Sequence, residues 1–314
     1  MRLDLLAALS GVLISLQTRA NGELSHLLNN GLEAALVSFA SGLIIILIVT
    51  PFNPRIKEGI INLREAVALK KIARWKLLAG SLGGSFVAIQ TQVVPLIGVA
   101  IYSVASIAGQ TGMSLIVDRI GLTGGGKKPI SVRRISAATI TVFAVLVSVL
   151  DRINANNVSK VAVLGGCVAG ALVGFRSALN GEINEYSHQS FTTSLLNFIT
   201  GTTFLIILIL TGLLFGKIEL SPLPNGPWWI YTGGVIGVIY IAFISTIVQH
   251  LGVLTFTLFS VGGQLLSALI IDVLSPTDGV RVSAYLVTGI VMTYLGVIAG
   301  GVGSSRVQKP KRLQ

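Results

Sequence analysis

The triplet Asn21-Gly22-Glu23 recurs as Asn180-Gly181-Glu182, 159 residues further along the chain. The same spacing relates further pairs of identical residues: Gly11 and Gly170, Leu13 and Leu172, Leu36 and Leu195, Phe39 and Phe198, and Gly42 and Gly201. A spacing of 153 or 154 residues relates a second ordered series: Trp75 and Trp228, Gly80 and Gly233, Gly84 and Gly237, Gly98 and Gly252, Ser106 and Ser260, Gln110 and Gln264, and Asp118 and Asp272. Two ordered series whose spacing changes only in the loops indicate a duplicated unit. We therefore expect two repeats, residues 1–155 and 156–303, followed by a basic tail at 304–314.

The composition is typical of a membrane protein. Of the 314 residues, 52% are apolar and only 11% are charged, and the mean hydropathy is +0.82; soluble domains are about a quarter charged. The net charge of +11 does not indicate a nucleic-acid partner, because the basic residues lie in the gaps between apolar runs. We expect the lipid bilayer as the partner. The one cysteine, Cys167, excludes an intrachain disulfide, and its apolar run favours a buried structural thiol.

Ten stretches are long and apolar enough to span a bilayer as helices, which takes about 20 residues each. They lie at roughly 3–20, 32–50, 77–95, 99–117, 135–150, 162–179, 192–215, 228–248, 252–271 and 283–302. The first is similar to a signal peptide, but its counterpart in the second repeat lies in mid-chain, where no signal peptide can be. Gly98 and Gly252 mark very short junctions between spans three and four and between spans eight and nine. We expect tight antiparallel helix pairs there.

The basic residues fall mainly on one side of this ten-span threading. Loop 51–76 holds seven, loop 118–134 holds five and the tail holds four; with Arg2 they make 17, against four on the other side. The positive-inside rule then puts both termini in the cytoplasm. Because five spans is an odd number, the second repeat enters the membrane from the opposite side. The expected fold class is an all-α membrane protein with ten transmembrane helices in two inverted five-helix repeats, an architecture of many secondary transporters.

Loop 51–76 also carries an amphipathic pattern. Ile56, Ile60, Leu63 and Val67 recur at helical spacing, with Lys and Arg residues elsewhere in the loop. This pattern favours a short helix that lies on the cytoplasmic membrane surface. A solvated basic loop is the alternative.

Two pairs of repeated polar residues lie inside spans or at their ends. Gln110 and Gln264 are at mid-span, where a side-chain amide must find a partner. A cavity-lining role and an interhelical hydrogen bond both agree with this position. Asp118 and Asp272 end the fourth and ninth spans. A carboxylate there either caps a loop or takes part in gating or proton uptake.

The repeated triplets follow the first and sixth spans. Asn21 and Asn180 are each followed by glycine, and both residue types tolerate left-handed backbone, so we expect the helix to break there. Glu23 and Glu182 would then lie near a helix end. They either face a cavity, where a glutamate can bind a cation or exchange a proton, or are solvated in a loop.

Two arginines lie at the ends of the same spans. Arg19 is placed to pair with Glu23 at i,i+4. Arg176 occupies the position that Gln17 has in the first repeat, so it is not a symmetric partner. An arginine near a membrane cavity attracts an anionic substrate. A side chain that extends its charge to the interface explains the pattern equally well.

The sequence predicts no catalytic, cofactor or metal site. Gly121-x4-Gly126-Lys127 is similar to a phosphate-binding loop, but Lys128 stands where Ser or Thr should ligate magnesium, and no buried strand precedes it. The histidines have no metal-ligand spacing: His26, His188 and His250. We therefore expect that the protein is not an enzyme.

Several of these motifs together resemble one family. They are Asn-Gly-Glu after the first span, the segments Ser38–Gly42 and Asn197–Gly201, a Trp before the third span, and Gly-Gln followed by an apolar run to Asp. In these motifs the chain resembles the YdcZ-type branch of the drug/metabolite transporter superfamily. Members often look like single five-span proteins that pair in opposite orientations, and this chain resembles a fusion of two. The resemblance implies a bacterial inner-membrane transporter, and an exporter, without naming its substrate.

The sequence therefore predicts a secondary transporter that exports small metabolites or drugs by alternating access. The driving force would be a proton gradient, another ion gradient or the gradient of the small-molecule substrate itself. Two other functions stay open: a non-transporting scaffold that binds partners, and a lipid-handling flippase. A polar cavity between the repeats favours transport, a solid apolar core favours the scaffold, and a groove open sideways to lipid favours the flippase. A homodimer also stays open.

Overall fold

The computed structural model describes residues 3–122, 127, 129, 131–154, 159–274 and 282–299. Predictions that concern Arg2, Gly126, Lys128, Arg281 and the tail 304–314 lie outside these residues. In the described ranges the long elements are helices: α1 Leu3–Leu28, α2 Gly31–Val49, α3 Pro54–Ala68, α4 Ala79–Ile120, α5 Val132–Asn154, α6 Lys160–Ser187, α7 Ser190–Leu214, α8 Gly233–Leu251, α9 Val253–Leu274 and α10 Ala284–Ala299. Short 3-10 turns precede α3, α4 and α8, at Thr50–Phe52, Arg74–Leu78 and Trp228–Tyr231.

The helices are those of a membrane protein. In lipid every backbone polar group must be satisfied within the segment, and a helix achieves this by itself. Among the residues that the structure describes, seven helical stretches are long and apolar enough to cross a bilayer: Leu3–Leu28, Gly31–Phe52, Arg74–Ile120, Lys160–Ser187, Ser190–Leu214, Gly233–Leu251 and Val253–Leu274. Shorter apolar segments lie in α5 and α10, at Ile135–Ala144 and Ala284–Gly296. The prediction of an all-α membrane fold is confirmed, and every predicted span overlaps a helix.

Glycine marks a sharp change of direction in each half of the chain. Gly98 divides α4 with a φ of 78° and a ψ of 167°. Gly252 separates α8 from α9 with a φ of 80° and a ψ of 162°. Glycine adopts such positive φ angles without a steric penalty. The short junctions are confirmed, but tight antiparallel pairing is wrong for α8 and α9, because α9 packs mainly along α1 and α4.

Glycines allow close contacts between the backbones of packed helices. Gly11 on α1 lies against the backbone carbonyl of Ser260 on α9, and Gly170 on α6 lies against that of Ser106 on α4. Two further contacts follow the same scheme: Gly263 on the Ala8 carbonyl and Gly109 on the Cys167 carbonyl. We call these lines of contact the α1–α9 seam and the α4–α6 seam. In both seams, the first helix of one half packs against the helix that contains the fourth predicted span of the other half.

The cysteine of the α4–α6 seam, Cys167, is less buried than predicted. Cys167 is half-buried, not fully buried, and it is not in a disulfide. Its backbone carbonyl, facing Gly109, makes the close contact. The side chain packs at the edge of the main apolar core.

The two Asn-Gly-Glu triplets do not break their helices, so that prediction is wrong. α1 continues to Leu28 and α6 continues to Ser187. The reason is tertiary: the Asn21 and Asn180 side chains are fully buried and hydrogen bond to neighbouring helices. Interhelical contacts of this kind outweigh the weak local preference of Asn-Gly for a turn.

The amphipathic pattern of loop 51–76 forms helix α3, so the solvated-loop alternative is wrong. Asn53 caps its first turn, and Pro54 occupies the first helical position, where a missing N–H has no consequence. Ile56 and Leu63 are buried, and Ile60 and Val67 are half-buried. The hydroxyl of Thr192 on α7 donates to the Ile56 carbonyl across 3.1 Å. This bond and the apolar face together attach α3 to α6 and α7.

Candidate functional site

A small cavity lies where α1, α2, α4, α6, α7 and α8 meet. Its volume is about 10 Å³, close to the minimum that a single water molecule requires. It is lined by Gln17, Phe39, Phe86, Val87, Arg176, Phe198, Gly237, Tyr240 and Ile241. Both halves of the chain contribute, and the lining is mixed in polarity.

The lining residues correspond to one another in the duplicated sequence. Gln17 and Arg176 are 159 residues apart, as are Phe39 and Phe198. A spacing of 154 residues relates two further lining pairs: Phe86 with Tyr240 and Val87 with Ile241. Gly237 faces Gln17 and Phe198 as Gly83 faces Arg176 and Phe39, so Gly237 corresponds to Gly83, and its predicted pairing with Gly84 is wrong by one residue. The Phe39 and Phe198 rings meet with centroids 5.2 Å apart and planes at 49°. The cavity therefore lies where equivalent surfaces of the two halves face each other.

Arg176 is the charged residue of this cavity. Its exposed fraction is only 3%, so the guanidinium does not extend to the interface, and that alternative is wrong for this residue. The guanidinium carbon lies 5.7 Å from the centroid of the Phe86 ring and 5.9 Å from that of Tyr240. Such cation–π contacts offset only part of the free energy of burying a charge.

No carboxylate balances this charge within the described part of the chain. The salt bridges found there join Arg19 to Glu23 and Lys76 to Glu182, and Arg176 takes part in neither. The Nε atom of Arg176 is buried and has no hydrogen-bond partner among the described residues. The equivalent Gln17, by contrast, is neutral, and its Nε2 donates to the Gly233 carbonyl across 3.0 Å. The cavity thus carries a positive charge on one wall and a neutral amide at the equivalent position.

The glutamate of the second triplet forms a salt bridge between the two halves. Lys76 Nζ lies 2.7 Å from both carboxylate oxygens of Glu182. The same ammonium lies 5.9 Å from the centroid of the Trp75 ring. Both side chains are less than one-fifth exposed. The sequence did not predict this pair, because a contact between residues so far apart leaves no local pattern.

The glutamate of the first triplet has a similar environment. Arg19 Nη1 lies 3.0 Å from Glu23 Oε2, which confirms the predicted i,i+4 pair. The Arg19 guanidinium also lies 5.6 Å from the centroid of the Trp229 ring, which belongs to the other half. Each glutamate is therefore paired with a cation that also contacts a tryptophan of the other half, near the start of that half's third predicted span.

The comparisons with known proteins agree with this duplicated arrangement. One family model, described as "Putative inner membrane exporter, YdcZ", matches the chain twice, at residues 3–147 and 161–299. The chain belongs to the DMT_YdcZ family. A solved structure described only as "Crystal structure of protein" is similar over 98% of both chains, with 12% sequence identity and a TM-score of 0.56, which concerns the fold alone. No curated protein matches the chain.

The remaining polar candidates of this DMT_YdcZ protein lie in contacts between helices. Asn21 Nδ2 donates to Gln90 Oε1 across 3.2 Å, and Gln90 Nε2 donates to Thr18 Oγ1 across 2.9 Å. In the second half, Asn197 Nδ2 donates to Asn180 Oδ1 across 2.7 Å. The asparagines of the triplets therefore join neighbouring helices beside the cavity and do not line it.

The mid-span glutamines are also buried between helices. Gln110 is 3% exposed, and its Nε2 donates to Thr257 Oγ1 across 3.1 Å, which links α4 to α9. Gln264 is 2% exposed, and its backbone carbonyl accepts from the Ser15 hydroxyl across 2.7 Å. Neither glutamine lines the cavity beside Arg176. The contact of Gln110 agrees with the interhelical alternative.

The repeated aspartates cap helices of opposite halves. Asp118 accepts hydrogen bonds from the backbone N–H groups of Val253 and Leu254, at 3.1 and 3.2 Å. Asp272 accepts one from the N–H of Ala100, at 2.8 Å. A carboxylate at a helix N-terminus satisfies free N–H groups and complements the helix dipole. Capping agrees with the prediction, but a helix is capped and not a loop. Asp118 caps the helix after Gly252, and Asp272 caps the helix after Gly98.

A separate, larger groove lies between α3 and α7. Its volume is about 390 Å³, and its walls are mostly apolar side chains, such as Ile60, Leu63 and Leu195. Arg64 and Thr192 are the polar residues among those that line it. The groove lacks a continuous polar lining that would carry a lipid headgroup across the membrane.

Proposed function

We propose that this chain is a secondary transporter that exports small molecules by alternating access. In this proposal ten spans form two inverted five-helix repeats, residues 1–155 and 156–303, with both termini in the cytoplasm. The observation that carries the proposal is the cavity that equivalent residues of both halves line around Arg176. Transporters built from inverted repeats bind their substrates in this position, near mid-membrane and between the repeats.

Two clusters support the proposed topology: Glu182 with Lys76 and Trp75, and Glu23 with Arg19 and Trp229. The basic loop 51–76 places Lys76 on the cytoplasmic side, and the ten-span threading places Glu182 there as well. Their salt bridge agrees with this common side. The same threading places Glu23 and Trp229 on the opposite side, where Arg19 contacts both. The clusters would then be the two ends of one pathway, with Arg176 between them.

Alternating access would proceed by opening one end at a time. The Lys76–Glu182 pair connects the halves at the cytoplasmic end, so that end opens only when the pair separates. At the other end, Arg19 is bonded within its own helix to Glu23 and contacts the second half through the Trp229 ring. In the described structure the cavity between the two ends is small, with a volume of about 10 Å³.

A transport assay in proteoliposomes tests this function. Purified protein is screened for uptake and counterflow of amines, amino acids, nucleosides, organic acids and cationic drugs, with and without a pH gradient. We expect saturable flux of at least one class. Glu182→Gln and Gln110→Leu variants should insert normally and transport poorly, because each loses a contact between the halves. Full flux in both variants removes these two side chains from the mechanism.

Cysteine accessibility tests the topology independently. In a Cys167→Ser background, single cysteines at His26 and His188 should react with impermeant thiol reagents from opposite sides of the membrane. Labelling of both from the same side contradicts the inverted arrangement. A non-transporting scaffold is disfavoured by the buried charge of Arg176, since a core that serves only packing gains nothing from it. Absence of flux for every class would favour the scaffold.

A further inference from the structure

We propose that the substrate is a small organic monocarboxylate, and that its carboxylate binds the Arg176 guanidinium in the cavity between the halves. This inference rests on the proposed transport function for the route into the site. Binding itself is measurable without transport. Four observations lead to it: the missing counter-ion, the space reserved for the guanidinium, the neutral residue at the equivalent position and the walls around the charge.

The missing counter-ion is the first observation. The exposed fraction of Arg176 is 3%, and its Nε has no hydrogen-bond partner among the described residues. No described Asp or Glu forms a salt bridge with it. Buried charges in proteins are paired or bind a ligand, because an isolated charge is costly to desolvate. A bound anion would supply the missing negative charge and a hydrogen-bond acceptor for Nε.

The chain also reserves space for this guanidinium. Gly83 on α4 faces it, and a Cβ at that position would lie 2.5 Å from Arg176 Nη1. A larger residue at this position would require the guanidinium to shift. A residue of the other half therefore leaves the space that the guanidinium occupies.

The equivalent position shows that the packing at this point does not require a charge. Gln17 lines the same cavity and bonds to the Gly233 carbonyl as a neutral amide. A glutamine thus satisfies the helix contacts in the first half. The positive charge at Arg176 is extra to packing, which points to a role in recognition.

The walls and the charge count define the ligand class. One buried guanidinium balances a single negative charge, whereas a dianionic phosphate would leave one charge uncompensated in the protein interior. Arginine binds carboxylates in a bidentate geometry. The surrounding rings of Phe39, Phe86, Phe198 and Tyr240 offer contacts to an apolar or aromatic remainder. The cavity must widen on binding, since its present volume is close to that of one water.

Ligand-dependent thermal unfolding of the full-length protein in nanodiscs tests the inference. The probes are benzoate, phenylacetate and 3-methylbutanoate, their neutral amides, benzylamine and inorganic phosphate. We expect at least one carboxylate to raise the unfolding temperature, and its amide and the amine not to do so, because only ligands that bind the folded state stabilise it. Arg176→Gln should weaken the binding of this carboxylate about tenfold or more, since the charge-assisted hydrogen bonds of the guanidinium are lost.

Two comparisons separate a recognition role from a structural one. Arg64→Gln removes an exposed positive charge outside the cavity and should leave the carboxylate affinity unchanged. Arg176→Lys should retain part of the affinity, because the charge remains while the bidentate geometry is lost. The inference is overturned if no carboxylate stabilises the wild-type protein, if Arg176→Gln binds equally well, or if phosphate stabilises it more strongly.

The outcomes also separate this inference from the proposed function. Carboxylate binding that depends on Arg176, without flux in proteoliposomes, supports the site and contradicts transport. Flux of amines or neutral compounds that is unchanged in Arg176→Gln supports transport and overturns the monocarboxylate inference. Flux of the same carboxylate that binds in nanodiscs, lost in Arg176→Gln, supports both.

Discussion

Asp118 and Asp272 cap each other's helices: the carboxylate at the end of α4 binds the start of α9, and the carboxylate near the end of α9 binds α4 just after Gly98. The two contacts are equivalent in the duplicated sequence. Each capped segment begins immediately after a glycine of positive φ. The two contacts therefore hold the two bends, at Gly98 and Gly252, in position relative to each other.

Loss of either cap should destabilise the protein without changing its helix content. We expect Asp118→Ala and Asp272→Ala each to lower the free energy of unfolding by about 1–2 kcal/mol, the range of an N-terminal helix cap. Denaturant unfolding in detergent micelles measures this. Glu58→Ala, an exposed change on α3, is the control and should be neutral. Equal stability of all three variants would mean that the aspartates have another role.

Exchanging the two charges of the Lys76–Glu182 pair should restore the transport and stability that each single change removes. Lys76→Glu and Glu182→Lys each place two like charges where the wild-type ammonium and carboxylate lie 2.7 Å apart, and each should reduce transport and stability. The double variant should recover most of both, with a coupling energy on the order of 1 kcal/mol for a partly buried pair. The same-helix pair Arg19 and Glu23 is the control, with an expected coupling of roughly 0.3–0.5 kcal/mol. A Lys76–Glu182 coupling no larger than this would contradict a link between the halves.

Two glycines three residues apart on α4 should respond in opposite ways to alanine. Gly109 faces the Cys167 backbone carbonyl in the α4–α6 seam, whereas an added Cβ at Gly112 meets no atom within 4 Å. Gly109→Ala should therefore lower stability by about 1–3 kcal/mol through overpacking. Gly112→Ala should raise it by roughly 0.5–1 kcal/mol, because alanine is the better helix former. Thermal unfolding of both variants checks this, and similar values for the two would contradict the seam.

Arg176→Gln should increase the stability of the ligand-free protein. The change removes a buried charge without a counter-ion and introduces the residue that the first half already has at this position. We expect a gain of about 1–3 kcal/mol in the free energy of unfolding, measured without added anions. A marked loss instead would show that the cation–π contacts with Phe86 and Tyr240 make the arginine a structural residue.

The sequence predicted the features that depend on local patterns. Hydropathy located the helices, amphipathic spacing predicted α3, and the repeat spacing paired Asp118 with Asp272 as equivalent positions. It failed for the Asn-Gly-Glu triplets, because burial of Asn21 and Asn180 against other helices overrides their turn preference. These are interactions across the fold, which residue spacing does not record.

The candidate site was predicted only in part. Arg176 stood out because its counterpart is Gln17, and this asymmetry was visible in the sequence. The aromatic walls were not predicted, although Phe39 and Phe198 belong to the repeat series. That their rings meet depends on how α2 and α7 pack, and the Lys76–Glu182 pair depends likewise on three-dimensional proximity.

The unequal pair Gln17 and Arg176 has a consequence for how such a cavity can arise. In an assembly of two identical five-helix chains, both positions would carry the same residue, and the shared cavity would hold either two arginines or two glutamines. Two buried guanidinium groups on one small cavity would repel each other, and two amides would carry no charge. Joining the copies into one polypeptide removes this constraint, because each position can then mutate alone. A cavity with a single positive charge is therefore possible in one polypeptide that carries both repeats, and impossible in a symmetric assembly of two identical chains.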